Sequence, residues 1–405
     1  MNSDTKKFII THKNADVHQL ALQASRFPLV DMTLAIRQIN GQQRIKSKVP
    51  LFYQTDEILY PVQLSLEQSS SESTATYKST LCEGNTLADL TGGFGIDSCY
   101  MSAHFKQVSY VERQFELCEL AIHNFKILGK NHISVYNQNT ETFLKEMNTV
   151  DWIYIDPARR NTAGKKVVLL SDCEPDVSSL SSLLLEKAQN IMIKLSPMMD
   201  ISAAVSDLTQ TAEIHIVAVE NECKEVLLIL KKNNMKALEI CTINLGKNNQ
   251  NQLFKFDAQE ESEATSKLTS ELGKYLYEPN AAIRKSGGFK LIGNYFGLSK
   301  LHHNTHLYTG NELILEFPGR VFCVNNVWEN SKSSLKNLSN QYPRANITTR
   351  NYPTSVDELR KKLKIKDGGE IYLFACTLAN EEKVIIECKK ENKLLFNPSL
   401  ASKSH

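Results

Sequence analysis

Residues 87–97 read LADLTGGFGID, which is an apolar strand, an acidic residue at its end, a glycine loop and the start of a helix. Glycine lets the backbone turn tightly and approach a ligand that any Cβ would block. The helix that follows offers free N–H groups to a carboxylate or polar edge of that ligand. The pattern predicts a ligand-binding turn, with a plain strand–helix turn as the alternative. Taken singly, Asp97 is interpreted as a helix cap.

Around this turn, short apolar runs alternate with helical segments from about residue 80 to about residue 230. Helical spacing is clear in residues 114–128 and 180–188. Such alternation predicts a parallel sheet with helices on both faces. The predicted strands are TLADL, QVSYVE, HISVYN, DWIYID, NIMIKL, EIHIVAV and EVLLIL.

The connection between the last two strands is short, since only residues 220–224 separate them. A parallel crossover needs roughly a dozen residues or more, so these strands are expected to pair antiparallel. A doubly wound sheet that ends in an antiparallel hairpin is the plan of class I methyltransferases. Nicotinamide-binding sheets are purely parallel and use a GxGxxG turn, which this chain lacks. We therefore predict an α/β fold with a Rossmann-like, seven-stranded class I methyltransferase sheet.

Two further polar residues follow neighbouring strands. Glu112 ends the second strand, where a carboxylate can accept hydrogen bonds from both hydroxyls of a ribose. Asn139 follows the third strand and is our candidate for contact with an adenine amino group, with a helix N-cap as an equal alternative. The coincidence of the glycine loop, Glu112 and the hairpin favours ligand binding over a plain turn.

Residues 151–160, DWIYIDPARR, end at the same edge of the predicted sheet. There Asp156 can accept a hydrogen bond from an exocyclic amine or a ring N–H, and Pro157 stiffens the turn. Arg159 and Arg160 can hold a phosphate or a carboxylate of a substrate. The alternative for the two arginines is a solvent-facing pair after a strand.

The kind of methyl acceptor can be narrowed by the absence of a nucleophile. Methylation at C5 of a pyrimidine needs a cysteine that activates the ring, commonly after strand five or in the strand-four turn. Here strand five ends in KLSPM, residues 194–198, and the strand-four turn is DPAR. Neither contains cysteine, so the sequence favours transfer to a nitrogen, with a 2′-oxygen as second choice.

Length and composition limit the number of domains and the class of protein. The chain has 405 residues, which predicts roughly two to four domains, and 41% apolar residues, as in ordinary globular proteins. No apolar run is long enough to span a bilayer, and the first residues lack the pattern of an export signal. Nine scattered cysteines without a CxxC pair suit reduced thiols, so we predict a cytoplasmic protein without membrane contact or metal.

The segments that flank the predicted sheet differ in character. Residues 1–80 are predicted to be mainly helical, and EQSSSESTATYKS at residues 67–79 is interpreted as a loop over a ligand or a linker. Beyond the sheet, a small mixed segment is followed by an α+β unit with a helix at residues 356–363. Its predicted strands are VFCVNN, ANITTRN, IYLFACTL and KVIIECK.

Basic residues collect towards the C-terminus. Residues 331–405 contain 14 Lys and Arg against 8 Asp and Glu, whereas the whole chain has a net charge of +2. Cations beside an aromatic side chain suit phosphate contact and base stacking, with a solubilising helix face as the alternative. The residues concerned are Arg344, Arg350, Tyr352, Arg360, Lys361, Lys362, Lys364 and Lys366.

Two other segments carry weaker signals of function. Three histidines at positions 302, 303 and 306 suggest a metal, but the sequence shows no second group of ligands, so an exposed loop is the favoured interpretation. Residues 275–288, YLYEPNAAIRKSGG, have a proline where a helix can begin and two glycines after it. They are interpreted either as a substrate grip or as a capped helix followed by a turn.

An ordered set of segments resembles one known family. In this chain they are DLTGGFGID, YVER, DWIYIDPARR, KLSPMMD and NECKE. The family comprises class I S-adenosylmethionine (SAM) dependent methyltransferases with a ferredoxin-like insert and a C-terminal THUMP-like domain. Two later segments, YLYEPNAAIRKSG and YPTSVDELRKKLKIKDGGEIYLFACTL, resemble its two C-terminal modules.

The resemblance implies SAM as the cofactor and RNA as the partner, since true THUMP domains present RNA to a methyltransferase. It also implies four parts: a helical region at 1–80, the methyltransferase domain at 81–231, a ferredoxin-like domain at 232–318 and a basic THUMP-like domain at 319–405. The predicted cofactor-binding residues are Asp89, Thr91, Gly92, Gly93, Phe94, Gly95, Glu112, Asn139 and Asp156.

The residues and the resemblance together predict an RNA methyltransferase that acts on a base nitrogen of rRNA or tRNA. The predicted catalytic residues are Asp156, Pro157 and Arg159. The predicted substrate-binding residues are Arg160, Arg344, Arg350, Arg360, Lys361 and Lys362. Two alternatives stay open, namely a methyltransferase for a protein or small molecule, and a non-catalytic RNA-binding protein on the same scaffold.

Overall fold

The computed structural model describes residues 1–159 and 169–391, with Arg159 described by its backbone alone. Arg160, one of the predicted substrate contacts, lies outside these residues. The chain divides into two compact units. The first consists of residues 1–214 and 225–236, and the second of residues 215–224 and 237–405.

The first unit begins with helices, as predicted. Helices α1 to α6 span Ser3–His12, Val17–Leu22, Met32–Lys48, Pro50–Gln54, Gln63–Gln68 and Glu72–Ser79. A short 3-10 helix, Ala24–Arg26, follows α2. The side chains of Asn2, Asp16 and Asp31 cap their helices by accepting backbone N–H bonds, which fixes where α1, α2 and α3 begin.

The interpretation of residues 67–79 as a loop or linker is wrong. Ser71 accepts a hydrogen bond from the backbone N–H of Thr74, and α6 runs from there to Ser79. Helix α6 buries Thr74, Ala75 and Lys78, so its inward face is largely polar. Apolar spacing therefore gave no sign of this helix.

The central sheet of the first unit follows the predicted plan. Strands β1 to β7 span Thr86–Asp89, Gln107–Val111, Ile133–Tyr136, Val150–Ile155, Ala188–Leu195, Thr211–Val219 and Glu222–Lys231. Their order across the sheet is β3-β2-β1-β4-β5-β7-β6. Strands β1 to β5 pair in parallel, whereas β7 runs antiparallel to β5. This is the class I methyltransferase sheet, and the fold prediction is confirmed.

Helices connect these strands and cover the sheet. Helices α7 to α11 span Ile96–Met101, Phe115–Ile127, Thr140–Glu146, Val177–Lys187 and Ile201–Asp207. Between β4 and α10 lies a small antiparallel pair, Ala158–Arg159 with Cys173–Glu174. Short 3-10 helices span Ser102–His104 and Leu170–Asp172.

The hairpin between β6 and β7 turns at Glu220 and Asn221, which have φ angles of 49° and 67°. Two consecutive residues with positive φ form the tight turn that matches the twist of antiparallel strands. The tip of this hairpin, residues 215–224, belongs to the second unit.

The second unit is built mainly from strands. Strands β8 to β16 span Glu239–Leu245, Gln252–Asp257, Tyr275–Pro279, Ser299–Lys300, Tyr308–Gly310, Gly319–Glu329, Asn346–Arg350, Ile371–Thr377 and Lys383–Lys390. Strands β8 and β9 form an antiparallel pair. The remaining seven form one sheet with the order β11-β12-β10-β13-β16-β15-β14. The four C-terminal strands predicted from the sequence are all present in it.

Helices α12 to α16 of this unit span Ala258–Glu263, Ala281–Ser286, Leu291–Tyr295, Lys332–Gln341 and Val356–Leu363. A short 3-10 helix lies at Lys247–Asn249. In the segment 275–288, Asn280 caps α13 and Gly287 ends it with a φ of 79°, as in the capped-helix interpretation. Among the described residues, no helix is both long and apolar enough to cross a membrane.

Candidate active site

The glycine loop lies where β1 ends and is held by the neighbouring strands. The backbone N–H of Leu90 donates to the carbonyl of Tyr154 in β4 at 3.0 Å, and that of Gly92 donates to the carbonyl of Val111 in β2 at 2.9 Å. A Cβ on Gly92 would lie 2.2 Å from the ring of Tyr110, so only glycine fits there. The loop is therefore fixed in place by the strands beside it.

Gly93 and Glu112 are brought together by this arrangement. Gly93 has a φ of 56°, and its N–H donates to Oε2 of Glu112 at 3.0 Å. The hydroxyl of Tyr110 donates to the Gly93 carbonyl at 2.5 Å, and the N–H of Gln114 donates to Oε1 of Glu112 at 2.8 Å. A carboxylate has about four acceptor sites, so two backbone donors leave Glu112 able to accept further bonds.

Two residues of the predicted set lie beneath the loop. Asp89 is 1% exposed and accepts hydrogen bonds from the N–H of Thr91 at 3.0 Å and the hydroxyl of Ser98 at 2.5 Å. Burial raises the pKa of Asp89 to about 7. Phe94 is also buried and packs edge-on against Phe52 of α4. The side chains of Asp89 and Phe94 therefore support the shape of the loop from inside the protein.

Asn139 is a helix N-cap, as its alternative interpretation predicted. Its Oδ1 accepts the N–H of Thr142 at 2.8 Å and caps α9. The neighbouring Asn137 donates from Nδ2 to the carbonyls of Glu112 and Arg113, each at 3.0 Å. The first residue thus starts the helix, and the second holds the backbone that carries Glu112.

Asp156 is tied to the glycine loop on one side and to a lysine on the other. Its backbone N–H donates to the hydroxyl of Thr91 at 2.7 Å. Its Oδ2 accepts a hydrogen bond from Nζ of Lys194 at 2.5 Å, while about a third of the side chain is exposed. Pro157 is buried behind it, and the backbone of Arg159 pairs with Cys173.

A charged network lies behind Asp156. Its centre is Lys78, which is fully buried and donates to both carboxylate oxygens of Glu225 at 2.9 Å. Nζ of Lys78 also lies 3.1 Å from Oδ1 of Asp97. On the other side of Asp97, Nζ of Lys194 lies 3.9 Å from Oδ2. We name Lys78, Lys194, Asp97, Asp156 and Glu225 the lysine cluster.

Hydroxyl groups complete the lysine cluster. Ser70 donates to Oδ2 of Asp97 at 2.7 Å and accepts hydrogen bonds from Lys78 at 3.0 Å and Lys194 at 3.2 Å. The hydroxyl of Tyr154 donates to the same oxygen of Asp97 at 2.8 Å. Two cations therefore face three carboxylates, which gives the cluster a net charge of −1 when all five groups are ionised.

The two buried aspartates of this region differ in acidity because their partners differ. Burial would raise the pKa of Asp97, but Lys78 and Lys194 outweigh burial and lower it. Burial would lower the pKa of Lys194, but Asp156, Asp97 and Glu225 outweigh it and raise it. At Asp89, burial outweighs the hydrogen bonds from Ser98 and Thr91, and the nearby Asp97 and Asp156 act in the same direction as burial, so the pKa of Asp89 rises. The lowered pKa of Asp97 and the raised pKa of Lys194 therefore both favour the charged forms of these two groups.

The position of Asp97 in the lysine cluster differs from its prediction as a helix cap. The cluster also contains residues that the sequence did not predict as part of the site. Helix α7 is capped by Gly95, which has a φ of 82°, so the interpretation of Asp97 as a helix cap is wrong. Lys78 and Ser70 were missed because they lie in the stretch interpreted as a loop or linker. Lys194 carried a usable signal, since a lysine at the end of the apolar run NIMIKL calls for a buried partner.

In the second unit, the predicted substrate residues fall into two places. Nε of Arg344 donates to the carbonyl of Asp367 at 3.3 Å, and Nη2 of Arg360 donates to the Asp367 carboxylate at 2.7 Å. Lys361 and Lys362 are exposed on α16 beside them. Arg350 is elsewhere, because its guanidinium contacts Glu278 at 2.8 Å.

The interpretation of the three histidines as an exposed loop is wrong for His302. That side chain is buried, and its ring nitrogens contact the Glu381 carboxylate and the backbone N–H of Asn304, each at 3.0 Å. His306 stacks on Phe289 with 3.6 Å between ring centroids. Among the described residues, no group of three or more His, Cys, Asp or Glu is arranged to hold a metal ion.

Comparison with known proteins is consistent with this geometry. A ferredoxin-like domain family matches residues 275–318, and a THUMP domain-like family matches residues 319–390. The crystal structure of a presumed methyltransferase from Porphyromonas gingivalis W83 is 34% identical, with a TM-score of 0.87. The match covers 95% of this chain and 97% of that chain. A search of curated proteins gives no match.

The chain therefore belongs to the class I SAM-dependent methyltransferase family that carries a ferredoxin-like and a THUMP-like module. Two remoter structures also match. An rRNA methylase from Streptococcus thermophilus is 12% identical over 40% of this chain and 96% of its own, with a TM-score of 0.31. TrmK of M. capricolum, in complex with S-adenosylhomocysteine, is 13% identical over 40% of this chain and 68% of its own, with a TM-score of 0.30.

Proposed function

We propose that the protein is a SAM-dependent methyltransferase that acts on a base nitrogen of rRNA or tRNA. The observation that carries this proposal is the 3.0 Å hydrogen bond from Gly93 to Glu112 at the edge of the sheet. Asp156 follows the adjacent strand at the same edge and is linked to the loop through Thr91. Ligands of doubly wound sheets bind at this edge, beyond the carboxyl ends of the strands.

The residues at this edge fit SAM. The unused acceptor sites of Glu112 suit the two ribose hydroxyls, and Gly93 has no side chain to block the approach of a nucleoside. Asn139 is proposed to face the adenine through its remaining amide donors. SAM supplies a methyl group on a positively charged sulfonium, and the net charge of −1 on the lysine cluster favours such a cation.

Asp156 is proposed to orient the methyl acceptor. Lys194 holds Oδ2, and Oδ1 is proposed to accept a hydrogen bond from an amine or ring N–H of a base. Pro157 keeps the turn rigid, and Arg159 and Arg160 are proposed to hold the adjacent phosphate. Because the methyl donor is already reactive, fixing the acceptor in line and excluding water are the main tasks of the enzyme.

RNA is proposed as the substrate because of the basic C-terminal region. Arg344, Lys361 and Lys362 are exposed on one module and Arg360 beside them is partly exposed, and that module matches a THUMP-like family. Phosphate contacts by such side chains make binding depend on salt. We also propose that the chain has four parts, at 1–80, 81–231, 232–318 and 319–405. A cytoplasmic location is proposed as well.

A second candidate is a non-catalytic RNA-binding protein on the same scaffold. Both oxygens of Glu112 already accept backbone hydrogen bonds, and Asn139 already caps a helix. The site is thus held together by the chain's own groups, which is what a scaffold without cofactor also requires. Measurement of transfer separates the two candidates.

The test is transfer of labelled methyl from SAM to RNA taken from a strain that lacks the protein, followed by mass spectrometry of the nucleosides. We expect Asp156→Ala to lower the rate by about 100-fold or more, because the acceptor loses its positioning group. SAM affinity should fall much less than the rate, because Asp156 supplies only part of the charge of the lysine cluster. Glu141→Ala, which removes an exposed carboxylate on α9, should behave as wild type.

A full rate in Asp156→Ala would contradict the role of that side chain. Transfer to a protein fraction instead of RNA would contradict the substrate class. SAM binding without transfer to any fraction would support the non-catalytic candidate.

A further inference from the structure

A second buried charge centre lies in the second unit, around Glu278. This glutamate is 1% exposed and sits in β10. Nε of Arg320 donates to its Oε2 at 2.7 Å, and Nη2 of Arg350 donates to its Oε1 at 2.8 Å. Nη1 of Arg284 lies 3.5 Å from the same Oε1. We name Arg284, Arg320 and Arg350 the arginine cluster.

The arginines come from three different elements. Arg320 stands opposite Glu278 in the register of β13 with β10. Arg284 lies on α13, which follows β10 directly, and Arg350 ends β14 at the edge of the sheet. The cluster thus joins residues on both sides of position 319, where the matched ferredoxin-like and THUMP-like segments meet.

The charges of this centre do not balance. Three guanidinium groups face one carboxylate, so the net charge is +2. Within the described part of the chain, no second carboxylate pairs with any of the three arginines. Burial lowers the pKa of Arg284; Glu278 opposes this, and Arg350 and Arg320 add to the lowering. A buried ion network without balance is costly, so an added anion would stabilise it.

Donor groups in the arginine cluster also outnumber the acceptors they reach. Each guanidinium carries five N–H donors, whereas a carboxylate offers about four acceptor sites. Two of the donors reach the backbone, from Arg284 to the Pro279 carbonyl and from Arg350 to the Thr349 carbonyl. Nε of Arg350 is buried without a hydrogen-bond partner. The cluster therefore has spare capacity for an oxygen-rich ligand.

The arginines remain accessible and oriented. Their side chains are 28%, 31% and 28% exposed for Arg284, Arg320 and Arg350, so solutes can reach each of them. The guanidinium of Arg320 lies over the rings of Phe322 and Tyr372, at 5.4 Å and 5.8 Å from their centroids. Stacking of this kind fixes the plane of a guanidinium and leaves its N–H edge free to bind.

We propose that the arginine cluster binds one phosphate group of the RNA substrate. This inference rests on the proposed function and adds a defined contact that is distinct from the basic group at Arg344 and Arg360. Phosphate suits the site because its oxygens accept paired guanidinium donors, and its negative charge offsets the excess of +2. Glu278 then acts as a positioning residue that gathers the three arginines.

The test uses the full chain and a labelled, mixed-sequence single-stranded RNA, with affinity measured over a range of salt concentrations. Arg284→Gln is chosen because its contact with Glu278 is the longest of the three. Loss of one phosphate contact should reduce the slope of log affinity against log salt by about 0.7. Arg284→Lys keeps the charge and should retain the slope, and Lys126→Gln, an exposed charge on α8 of the first unit, should match wild type.

Inorganic phosphate distinguishes the source of the anion. At constant ionic strength, it should displace RNA from wild type more readily than from Arg284→Gln. An unchanged slope in Arg284→Gln, while wild type binds RNA, would overturn the phosphate site and leave the proposed function standing. Equal losses in the Gln and Lys variants would also overturn it, since packing and not charge would be the cause. Failure of wild type to bind RNA would instead refute the proposed substrate.

Discussion

The two units of the molecule each contain a charged group that is almost completely buried, but the groups around it differ in sign. In the first unit, the buried group is Lys78. Together with Lys194 it faces the three carboxylates of the lysine cluster. In the second unit Glu278 is surrounded by three cations and no further carboxylate of the described chain. The first centre carries an excess of negative charge, and the second an excess of positive charge.

This difference indicates that the two centres are suited to opposite ligands. With all groups ionised, the excess of −1 beside Asp156 is proposed to favour a cationic methyl donor, and the excess of +2 at the arginine cluster is proposed to favour a phosphate. They also differ in enclosure, since Lys78 is fully buried and the three arginines are each about 30% exposed. The lysine cluster is therefore expected to matter more for stability, and the arginine cluster more for binding.

The largest expected effect is the loss of Lys78. Lys78→Met leaves Glu225 and Asp97 without their closest cation in a buried site, so we expect the free energy of unfolding to fall by about 3–5 kcal/mol. Denaturant unfolding followed by circular dichroism measures this change. Lys126→Met, at an exposed position, should change it by less than about 0.5 kcal/mol. A loss from Lys78→Met as small as that of the control would contradict the importance of the lysine cluster.

A smaller loss is expected at the centre of the second unit. Glu278→Gln keeps the shape of the side chain but removes the carboxylate that the three arginines share. Because the arginines are partly exposed and screened, we expect a loss of about 2–3 kcal/mol, less than for Lys78. Inorganic phosphate at constant ionic strength should recover part of this loss by binding the folded state. An equal recovery of stability by phosphate in Lys78→Met would contradict the distinction between the two centres.

The smallest expected effect is the pH dependence of stability caused by Asp89, a buried carboxyl outside the lysine cluster. The pKa of Asp89 rises from 3.8 to about 7, so the folded state binds a proton more tightly than the unfolded chain. This contribution to stability is present below pH 3.8 and is lost as pH rises through about 7. Between about pH 5 and about pH 7, wild type should lose on the order of 1–2 kcal/mol relative to Asp89→Asn. Parallel stability curves for the two proteins would contradict this.

Much of the fold could be predicted from the sequence. Apolar runs of strand length, alternating with helical segments, gave the strands of the central sheet, and the short link at residues 220–224 gave the antiparallel hairpin. The helix from Glu72 to Ser79 could not be predicted, because its buried residues are Thr74, Ala75, Lys78 and Ser79. A polar inward face lacks the apolar spacing by which helices are recognised.

The candidate site was predicted only in part. Gly93 and Glu112 lie together because both follow neighbouring parallel strands, whose carboxyl ends meet at one edge of the sheet. This proximity can be predicted from the order of the strands. The lysine cluster joins residues 147 positions apart, such as Lys78 and Glu225. No local pattern links such residues, since their contact depends on how α6 packs on the sheet. The charge of Arg350 predicts a substrate contact, but its contact with Glu278 could not be predicted, because the two residues are 72 positions apart in the sequence.

The proposed function depends most directly on SAM binding where Gly93 meets Glu112. Calorimetric titration of SAM into the full-length protein tests this, with Glu112→Gln as the paired variant. We expect wild type to bind one SAM per chain and the variant to bind about 10-fold to 100-fold more weakly, because a glutamine accepts fewer hydrogen bonds and carries no charge. No heat of binding in wild type, or equal affinity in the two proteins, would contradict the proposed function.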